Sequence, residues 1–445
     1  MLDRSVGAEG GSLSAVTARQ SGEAAPLSGS PVMEPARCHV FSNGLVMVGE
    51  PMDWVESAAF TLLAPPGCAE DPAPRLGLST LLCEMMFRGA GSRDSRQLVA
   101  DLDNLGVERS ESVSESHVRL SGATLAAHLP EALAIFADVI LRPHFPGEQL
   151  EAARQLVLQE LRAVEDEPAD KVMIELRRRH YPDPWGRPSH GEQAALEAAG
   201  LDDVRRHFHE RCRPNGTILG VAGRLDWPRL VDTVGELLGS WEPRPDEPVV
   251  EKPSAERLAQ LPFDSSQTQI GIAYPSLPYR HPDYFQAWGA VGVLGGGTST
   301  RLFTQVRERR GLCYSVYAVH HTLRDLGGVF CYAGTSADRA QETLEVLLRE
   351  VIRLRRGVED HELDRLKARI KSALVMQQES SAARSSAIAR DWHLLGRVRS
   401  LDEVCRLVDE LTCASINAYL LDHPPRDFTI VTLGPRPLEV PLGVP

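Results

Sequence analysis

The sequence predicts an α+β fold of two homologous halves, each a mainly antiparallel sheet packed by helices in an α/β sandwich. Three observations lead to this prediction. Short apolar runs typical of strands alternate with segments whose apolar residues have helical spacing. The same order of segments occurs twice, and a proline-rich segment separates the two copies. Several strands follow one another through short turns without a strict strand–helix–strand rhythm, which favours antiparallel pairing.

The two copies share one order of elements. The first copy comprises a strand at 58–64, a helix at 76–87, a strand ending at 120–123 and a helix with an apolar stripe over 132–140. The second comprises a strand at 269–274, a helix at 285–294, a strand ending at 332–335 and a helix with an apolar stripe over 344–352. Positions 122 and 334 are separated by 212 residues, as are positions 140 and 352. A repeat this long indicates duplicated domains; two unrelated domains with a chance register are the alternative.

The segment 243–262 is the predicted linker between the copies. Its residues 243–260 contain four prolines and many charges without a sustained period, which is typical of a linker. We therefore predict an N-terminal domain at 36–242 and a C-terminal domain at 263–445. Residues 1–35 are rich in Gly, Ser, Ala and Glu and lack the apolar stretch of a secretion signal, so they are predicted to be a disordered lead-in.

Composition excludes several classes of function. The 445 residues contain 48 Lys and Arg against 61 Asp and Glu, a formal net charge of −13. This balance argues against nucleic-acid binding, which needs a basic face, and against anionic membranes. No run approaches the roughly 18 apolar residues that span a bilayer. The eight cysteines are scattered without a CxxC pair, which predicts reduced thiols and, by default, a cytoplasmic location.

The first predicted helix carries the most specific motif. Residues 77–89 read GLSTLLCEMMFRG. This stretch resembles the active-site helix of the pitrilysin/insulinase family of zinc peptidases, the inverzincins, in which HxxEH follows a Gly-Leu pair and precedes a Met-Leu-Phe-Lys-Gly-like run. In that motif two histidines one turn apart bind zinc, and the glutamate before the second histidine is the general base. The resemblance extends over roughly residues 37–435 and implies one half of a metallopeptidase clamshell.

The flanks of the motif match the family, whereas the zinc ligands do not. Thr80 stands at the first histidine position, Cys83 at the position of the base and Glu84 at the second histidine position. The resemblance places the third ligand at Glu160, and no HxxEH or HExxH occurs anywhere in the chain. We therefore expect this chain to bind no metal, although a self-sufficient peptidase with an atypical metal site at these four residues is an alternative.

Other histidines give weaker signals. His207, Phe208 and His209 lie in an Asp- and Arg-rich helical stretch, which predicts a solvated face. His320 and His321 are neighbours in a predicted strand, so they point to opposite faces and cannot jointly chelate a metal.

The second half retains its family motif. Gly295, Gly296 and Gly297 lack the GK[ST] ending of a phosphate-binding loop, which predicts a loop at the cleft or a helix end. The resemblance then implies that Arg307 and Tyr314, seven residues apart, hold the substrate backbone, and that the tyrosine hydroxyl stabilises the oxyanion. Taken without this context, the two residues are a surface charge and a strand residue.

Some members of this family divide the work between two subunits. The resemblance implies that this chain is the non-catalytic subunit of a two-subunit bacterial or mitochondrial-processing-peptidase-like enzyme, inactive alone. It would form a heterodimer with a homologous HxxEH-bearing subunit that holds the zinc, and unfolded peptide would bind by adding to a sheet edge. A non-proteolytic peptide-binding or scaffold subunit of a larger assembly is the main alternative.

Overall fold

Two sheets organise the chain in the computed structural model, which describes residues 35–441. The strands are β1 (Arg37–Val40), β2 (Val46–Pro51), β3 (Ser57–Ala64), β4 (Gly89–Ala90), β5 (Arg93–Asp94), β6 (Glu108–Val113), β7 (Val118–Leu125), β8 (Ile218–Gly223), β9 (Leu258–Pro262), β10 (Gln267–Ser276), β11 (Cys313–Thr322), β12 (Gly327–Ser336) and β13 (Thr429–Gly434). The predicted lead-in lies outside the described residues, except for Pro35.

The helices follow the strands in two similar series. They are α1 (Leu78–Met86), α2 (Ser95–Asn104), α3 (Leu129–Leu141), α4 (Leu150–Asp166), α5 (Pro168–His180), α6 (Gln193–Ala198), α7 (Leu201–Arg211), α8 (Trp227–Leu238), α9 (Tyr284–Gly295), α10 (Ala340–Arg353), α11 (Asp360–Gln377), α12 (Ser381–Leu395), α13 (Leu401–Asp409) and α14 (Cys413–Asp422). None of the helices in the described part of the chain combines the length and apolar character needed to cross a membrane.

The two sheets have the same topology. The first has the order β1-β2-β8-β3-β7-β6, and the second has the order β11-β12-β10-β13-β9. Strands β2 and β8 are parallel, as are β9 and β13, and the other neighbours are antiparallel. Strand β3 therefore corresponds to β10, and β7 to β12, while β1 is an addition to the first sheet. The predicted fold class of two similar halves with mainly antiparallel sheets is confirmed.

Each sheet is covered on one face by a helix from the other half. Helix α5 packs on β10 and β13 of the second sheet, where Val172 and Leu176 are buried. Helix α12 packs on β2, β3 and β8 of the first sheet, where Ile388 and Ala389 are buried. The two helices occupy equivalent places in the repeat, so the exchange is reciprocal. Helices α1 and α3 bury the opposite face of the first sheet.

A buried ion pair fixes α12 on the first sheet. The Arg384 guanidinium donates from Nε to Oε1 of Glu50 at 2.7 Å and from Nη2 to Oε2 at 2.6 Å. The two side chains are only 5% and 4% exposed. At the next residue of α12, Ser385 Oγ lies 3.1 Å from Thr61 Oγ1 of β3. Such bidentate geometry tolerates little sliding of the helix on the sheet.

The predicted linker is irregular over most of its length. Residues 243–257 form no helix or strand, apart from one bridge in which Lys252 and Asp183 exchange backbone hydrogen bonds of 2.8 and 3.0 Å. The last five residues of the segment form β9, which pairs with β13. The edge strand of the second sheet thus begins inside the segment whose composition resembles a linker.

Replacement of Arg384 by Met should destabilise the fold strongly. It would leave the Glu50 carboxylate buried without its cation, which costs about 3–5 kcal/mol. Chemical denaturation of the whole chain measures the loss. The exposed pair Arg397–Glu403 is the matched control, and Glu403→Gln should cost less than about 1 kcal/mol. Equal losses in the two variants would contradict an anchoring role for the buried pair.

Candidate functional site

Helix α1 and helix α4 form the walls of one cavity of about 450 Å³. Thr80, Cys83 and Glu84 share a face of α1 because they are three and four residues apart. Glu160 reaches the same cavity from α4, and the edge strand β6 closes another side. The structure therefore brings together the four residues that stand at the ligand and base positions of the resembled zinc helix.

The start of α1 is held by a buried network of polar groups. Asp71 accepts hydrogen bonds from the backbone nitrogens of Gly77 at 2.7 Å and Ser79 at 2.9 Å, and from Ser79 Oγ at 2.6 Å. His207 Nε2 lies 3.0 Å from Ser79 Oγ. Gly77 has φ 96°, a left-handed conformation that glycine adopts readily. The network satisfies backbone donors at the helix start and fixes the direction in which α1 presents Thr80.

The prediction of a solvated face at 207–209 is wrong for His207 and Phe208. His207 is 3% exposed and Phe208 is also buried, while His209 is exposed. Val204 is buried on the same stripe of α7, and its i, i+3, i+4 spacing to His207 and Phe208 is the signal that could have identified a packed face. His207 thus belongs to the buried network that holds the start of α1, a role that was not predicted from the sequence.

Three of the four cavity residues already have other partners or are protonated. Thr80 Oγ1 donates to the carbonyl oxygen of Ser189 at 2.5 Å. Glu84 forms an ion pair with Arg88. The Cys83 thiol is 5% exposed, and burial, together with nearby carboxylates, raises its pKa far above the usual range. It is therefore a neutral thiol, whereas zinc binds the thiolate.

This donor set does not fit a zinc ion. Glu160 is exposed and, unlike Glu84, forms no ion pair among residues 35–441. Within the same described residues, no three His, Cys, Asp or Glu side chains are grouped so that they could hold a metal ion. Zinc sites of this kind use three protein ligands, commonly with imidazoles.

Arg307 and Tyr314 contact each other at the start of β11. Arg307 lies in a π-helical turn, Phe303–Glu308, a rare element that often occurs at functional sites. Its guanidinium carbon lies 4.9 Å from the centre of the Tyr314 ring and 4.8 Å from that of Phe303. The Tyr314 side chain is nevertheless 84% exposed. Phe303 and the π-helical turn were not predicted from the sequence.

The glycine triplet ends helix α9. Gly295 is buried, and a Cβ there would collide with the backbone nitrogen of Ala318 in β11. Gly296 is the C-cap of the helix, and the carbonyl oxygen of Gly297 accepts from Thr300 Oγ1 at 2.6 Å. The absence of a side chain at Gly295 lets α9 approach β11, directly before the segment that carries Arg307.

Two family models match the chain. Insulinase (Peptidase family M16) matches residues 53–187, and the Peptidase M16 inactive domain matches residues 199–370. Together they cover more than half of the 445 residues. The chain belongs to peptidase family M16. The resemblance on the helix at 77–89 is thereby confirmed.

Relatives in this family match most of the chain. The uncharacterized zinc protease YmxG of Bacillus subtilis is 26% identical over 397 residues, covering 88% of this chain and 97% of its own. An uncharacterized zinc protease of Mycobacterium bovis is 28% identical over 410 residues, covering 88% of this chain and 92% of its own.

Solved structures show the same fold. A peptidase M16 inactive domain from Pseudomonas fluorescens matches with a TM-score of 0.83 and 21% identity, over 92% of this chain and 99% of its own. A chain of complex III from Candida albicans matches with a TM-score of 0.77 and 20% identity, over 89% of this chain and 95% of its own.

The two family motifs lie apart in this M16 chain. Within residues 35–441, no hydrogen bond, ion pair or ring contact joins Arg307 or Tyr314 to the four residues of the α1 cavity. Arg307 and Tyr314 do not line that cavity either. The arginine–tyrosine pair therefore makes no direct contact with the ligand positions of its own chain, and the Tyr314 ring is largely exposed to solvent.

Two histidine rings pack together where the two halves meet, with His117 buried and His393 half-buried. The rings of His117 and His393 are 4.5 Å apart, edge to face, and His117 Nε2 lies 3.3 Å from the carbonyl oxygen of Gly216. Burial lowers the pKa of His117 to about 3 and that of His393 to about 4.

His320 and His321 contact different groups, Leu277 and Tyr181 respectively, which agrees with their predicted opposite faces.

Stability should fall as the pH drops below about 6.5. The folded pKa values of His117 and His393 lie below the unfolded value, so the unfolded chain binds more protons between about pH 4 and 6.5. Each histidine then removes about 1.4 kcal/mol per pH unit. Unfolding free energies at several pH values should show a smaller slope for His117→Gln with His393→Gln than for wild type. His209→Gln, at an exposed position, is the control, and an unchanged slope in the double variant would contradict the assignment.

Restoration of two histidines should create a zinc site. Thr80→His with Glu84→His places imidazoles one turn apart on α1, facing Glu160 across the cavity. We expect about one zinc per chain by elemental analysis after dialysis, and far less for wild type. Addition of Glu160→Gln to the double variant should weaken binding. Stoichiometric zinc in the wild-type chain that is lost on Glu160→Gln would instead establish an atypical metal site.

Proposed function

We propose that this chain is the substrate-holding, non-zinc-binding subunit of a heterodimeric M16 metalloendopeptidase that acts on unfolded peptides. The observation that carries the proposal is the Arg307–Tyr314 pair, which keeps a cation on an aromatic ring that is 84% exposed. A large exposed ring held in one place is typical of a contact surface. The same chain has Thr80, Cys83 and Glu84 where the family places its zinc ligands and base.

The partner would be a homologous subunit with an intact HxxEH helix. Its zinc would supply the Lewis acid that polarises the scissile carbonyl and activates water. Tyr314 of this chain would donate its hydroxyl proton as a hydrogen bond to the oxygen that gains negative charge. Arg307, whose face is occupied by two rings, retains N–H groups at its edge that can donate to substrate carbonyl oxygens. Together they would orient the peptide without taking part in zinc binding.

The edge strand β6 supports peptide binding on this chain. It pairs with β7 on one side, and within residues 35–441 no strand pairs with its other side. An extended peptide that adds to this edge gains main-chain hydrogen bonds with little demand on its sequence. In the adjoining cavity Arg88 pairs with Glu84 and Arg109 with Glu111, which leaves the carboxylate of Glu160 unpaired. Peptides with a Lys or Arg near that position are favoured.

A scaffold role without proteolysis is the second candidate. Its support is the fold match to a chain of complex III, a large assembly, over 95% of that chain. In a scaffold, Tyr314 would be an interface residue whose hydroxyl is dispensable. The two candidates therefore differ in what the phenolic oxygen contributes.

Tyr314→Phe should slow peptide hydrolysis by the assembled pair. The chain would be co-expressed with an HxxEH-bearing M16 homologue from the same genome, and cleavage of an unfolded fluorogenic peptide would be followed. Loss of a hydrogen-bond donor to the oxyanion should lower kcat by about 10²–10³. Tyr317→Phe, in the same strand, is the matched control and should retain the rate.

The outcome separates the two candidates. If the pair assembles and cleaves peptide at the wild-type rate with Tyr314→Phe, the substrate-holding role of Tyr314 is wrong. If the pair assembles and cleaves no peptide at all, the scaffold role is favoured. Arg307→Met should raise KM more than it lowers kcat if the arginine binds the peptide in its ground state as well.

A further inference from the structure

The second half contains a cavity of its own beside helix α9. Helix α9 packs against α11, α14 and β11 as α1 packs against α4, α7 and β6. Between α9, α11, α12 and the segment that follows α12 lies a cavity of about 450 Å³. The arginine–tyrosine pair and the glycine triplet do not line it. The second half therefore has a cavity that the proposed peptidase function does not use.

The walls of this second cavity differ in chemistry from those of the first. Aromatic rings come from Tyr279, Tyr284, Phe285 and Trp288, and aliphatic side chains come from α11 and α13. Its charged groups are mainly guanidinium groups, whereas the α1 cavity holds three carboxylates. Apolar walls with a few convergent polar groups are typical of small-ligand sites.

Arg399 is the polar group on which the inference depends. Its guanidinium carbon lies 4.6 Å from the centre of the Tyr279 ring and 5.2 Å from that of Phe285. Its Nε and Nη1 atoms are buried and have no hydrogen-bond partner among residues 35–441. The rings occupy the faces of the guanidinium and leave its edge for an acceptor. Buried donors without a partner cost free energy, which a ligand oxygen would recover.

The charges around Arg399 favour an anion. Within the described residues, Arg369, Arg390 and Arg399 form no ion pair with a carboxylate, while Arg384 is neutralised by Glu50. Asp391 is the one acidic residue lining the cavity. Its carboxylate already accepts from Tyr279 Oη and from the backbone nitrogen of Arg399, both at 3.0 Å. This cluster is a positive site on a chain whose net charge is −13.

We propose that this cavity binds a carboxylate carried on an aromatic or aliphatic body. The carboxylate oxygens would accept from the edge of Arg399, because a planar guanidinium matches two oxygens. The apolar body would lie against Phe285, Trp288 and Leu401. Two sources offer this chemistry: a small free acid, and the C-terminal carboxylate of a peptide that ends in an apolar residue. The inference does not depend on the proposed peptidase role, since it needs no partner subunit and no Tyr314.

Titration calorimetry on the full chain tests the proposal. The probe is 3-phenylpropionate, and 3-phenylpropionamide is its uncharged counterpart. We expect the acid to bind at least about tenfold more tightly than the amide, and Arg399→Met to remove that difference. The matched control is Arg397→Met, an exposed arginine two residues away that pairs with Glu403, which should leave binding unchanged.

A second variant keeps Arg399 and fills the cavity. Ala373 is an exposed residue of α11 that lines the cavity, so Ala373→Trp should weaken binding of the acid at least about tenfold without disturbing the core.

Short acetylated peptides ending in phenylalanine, as free acid and as amide, identify the source of the carboxylate. Tighter binding of the peptide acid than of phenylpropionate assigns the site to peptide C-termini; the reverse order assigns it to small acids. Equal binding of acid and amide, no binding at millimolar concentration, or unchanged binding in Ala373→Trp would overturn the proposal.

Discussion

The buried pair between Glu50 and Arg384 ties the last third of the chain to its first sheet. The pair lies in a nearly solvent-free layer, where two charges are tolerated only if they are aligned and fully hydrogen-bonded. That requirement fixes both the rotation and the translation of α12 on β2, β3 and β8. Helix α5 makes the reciprocal contact with the second sheet. Because α5 follows α4 directly, the placement of Glu160 in the first half depends on a surface of the second half.

The start of the helix that carries Thr80 is held by hydrogen bonds within the protein. Asp71, Ser79 and His207 define where α1 begins. Further along the helix, Thr80 donates a hydrogen bond and Glu84 forms an ion pair. These contacts leave the cavity beside the helix open. The cavity lies beside the open edge of β6, where the peptide is proposed to bind.

The sequence predicted what depends on local pattern. Apolar spacing identified the main strands and helices, and the register of the repeat anticipated two sheets of equal topology. The family motif led to Thr80, Cys83, Glu84 and Glu160 even though their chemistry has changed. Periodicity shows that α12 has an apolar face, but it does not say which sheet receives it, so the exchange of α5 and α12 was not predictable.

Other features were not predicted from the sequence, because they do not follow from local residue preferences. His207 is polar by type, and its contact with Ser79, which the sequence does not show, satisfies the ring in its buried position. Strand β9 lies in a charged, proline-rich segment, and its pairing with β13 overrides the local composition. The π-helical turn around Arg307 depends on one extra residue per turn, which no residue-type preference encodes. For His207 and for β9, the partner that decides the structure is distant in sequence.

The exchange of helices also sets the order in which the chain can be completed during synthesis. Glu50 and Arg384 are 334 residues apart, and at about 5–20 residues per second the ribosome needs roughly 17–70 s to cover that distance. The face of β2, β3 and β8 that α12 covers is complete only after β8 has been synthesised, about halfway through this interval. From then until α12 is made, no helix of the first half covers that face. Its apolar residues stay open to other apolar surfaces until the two halves dock.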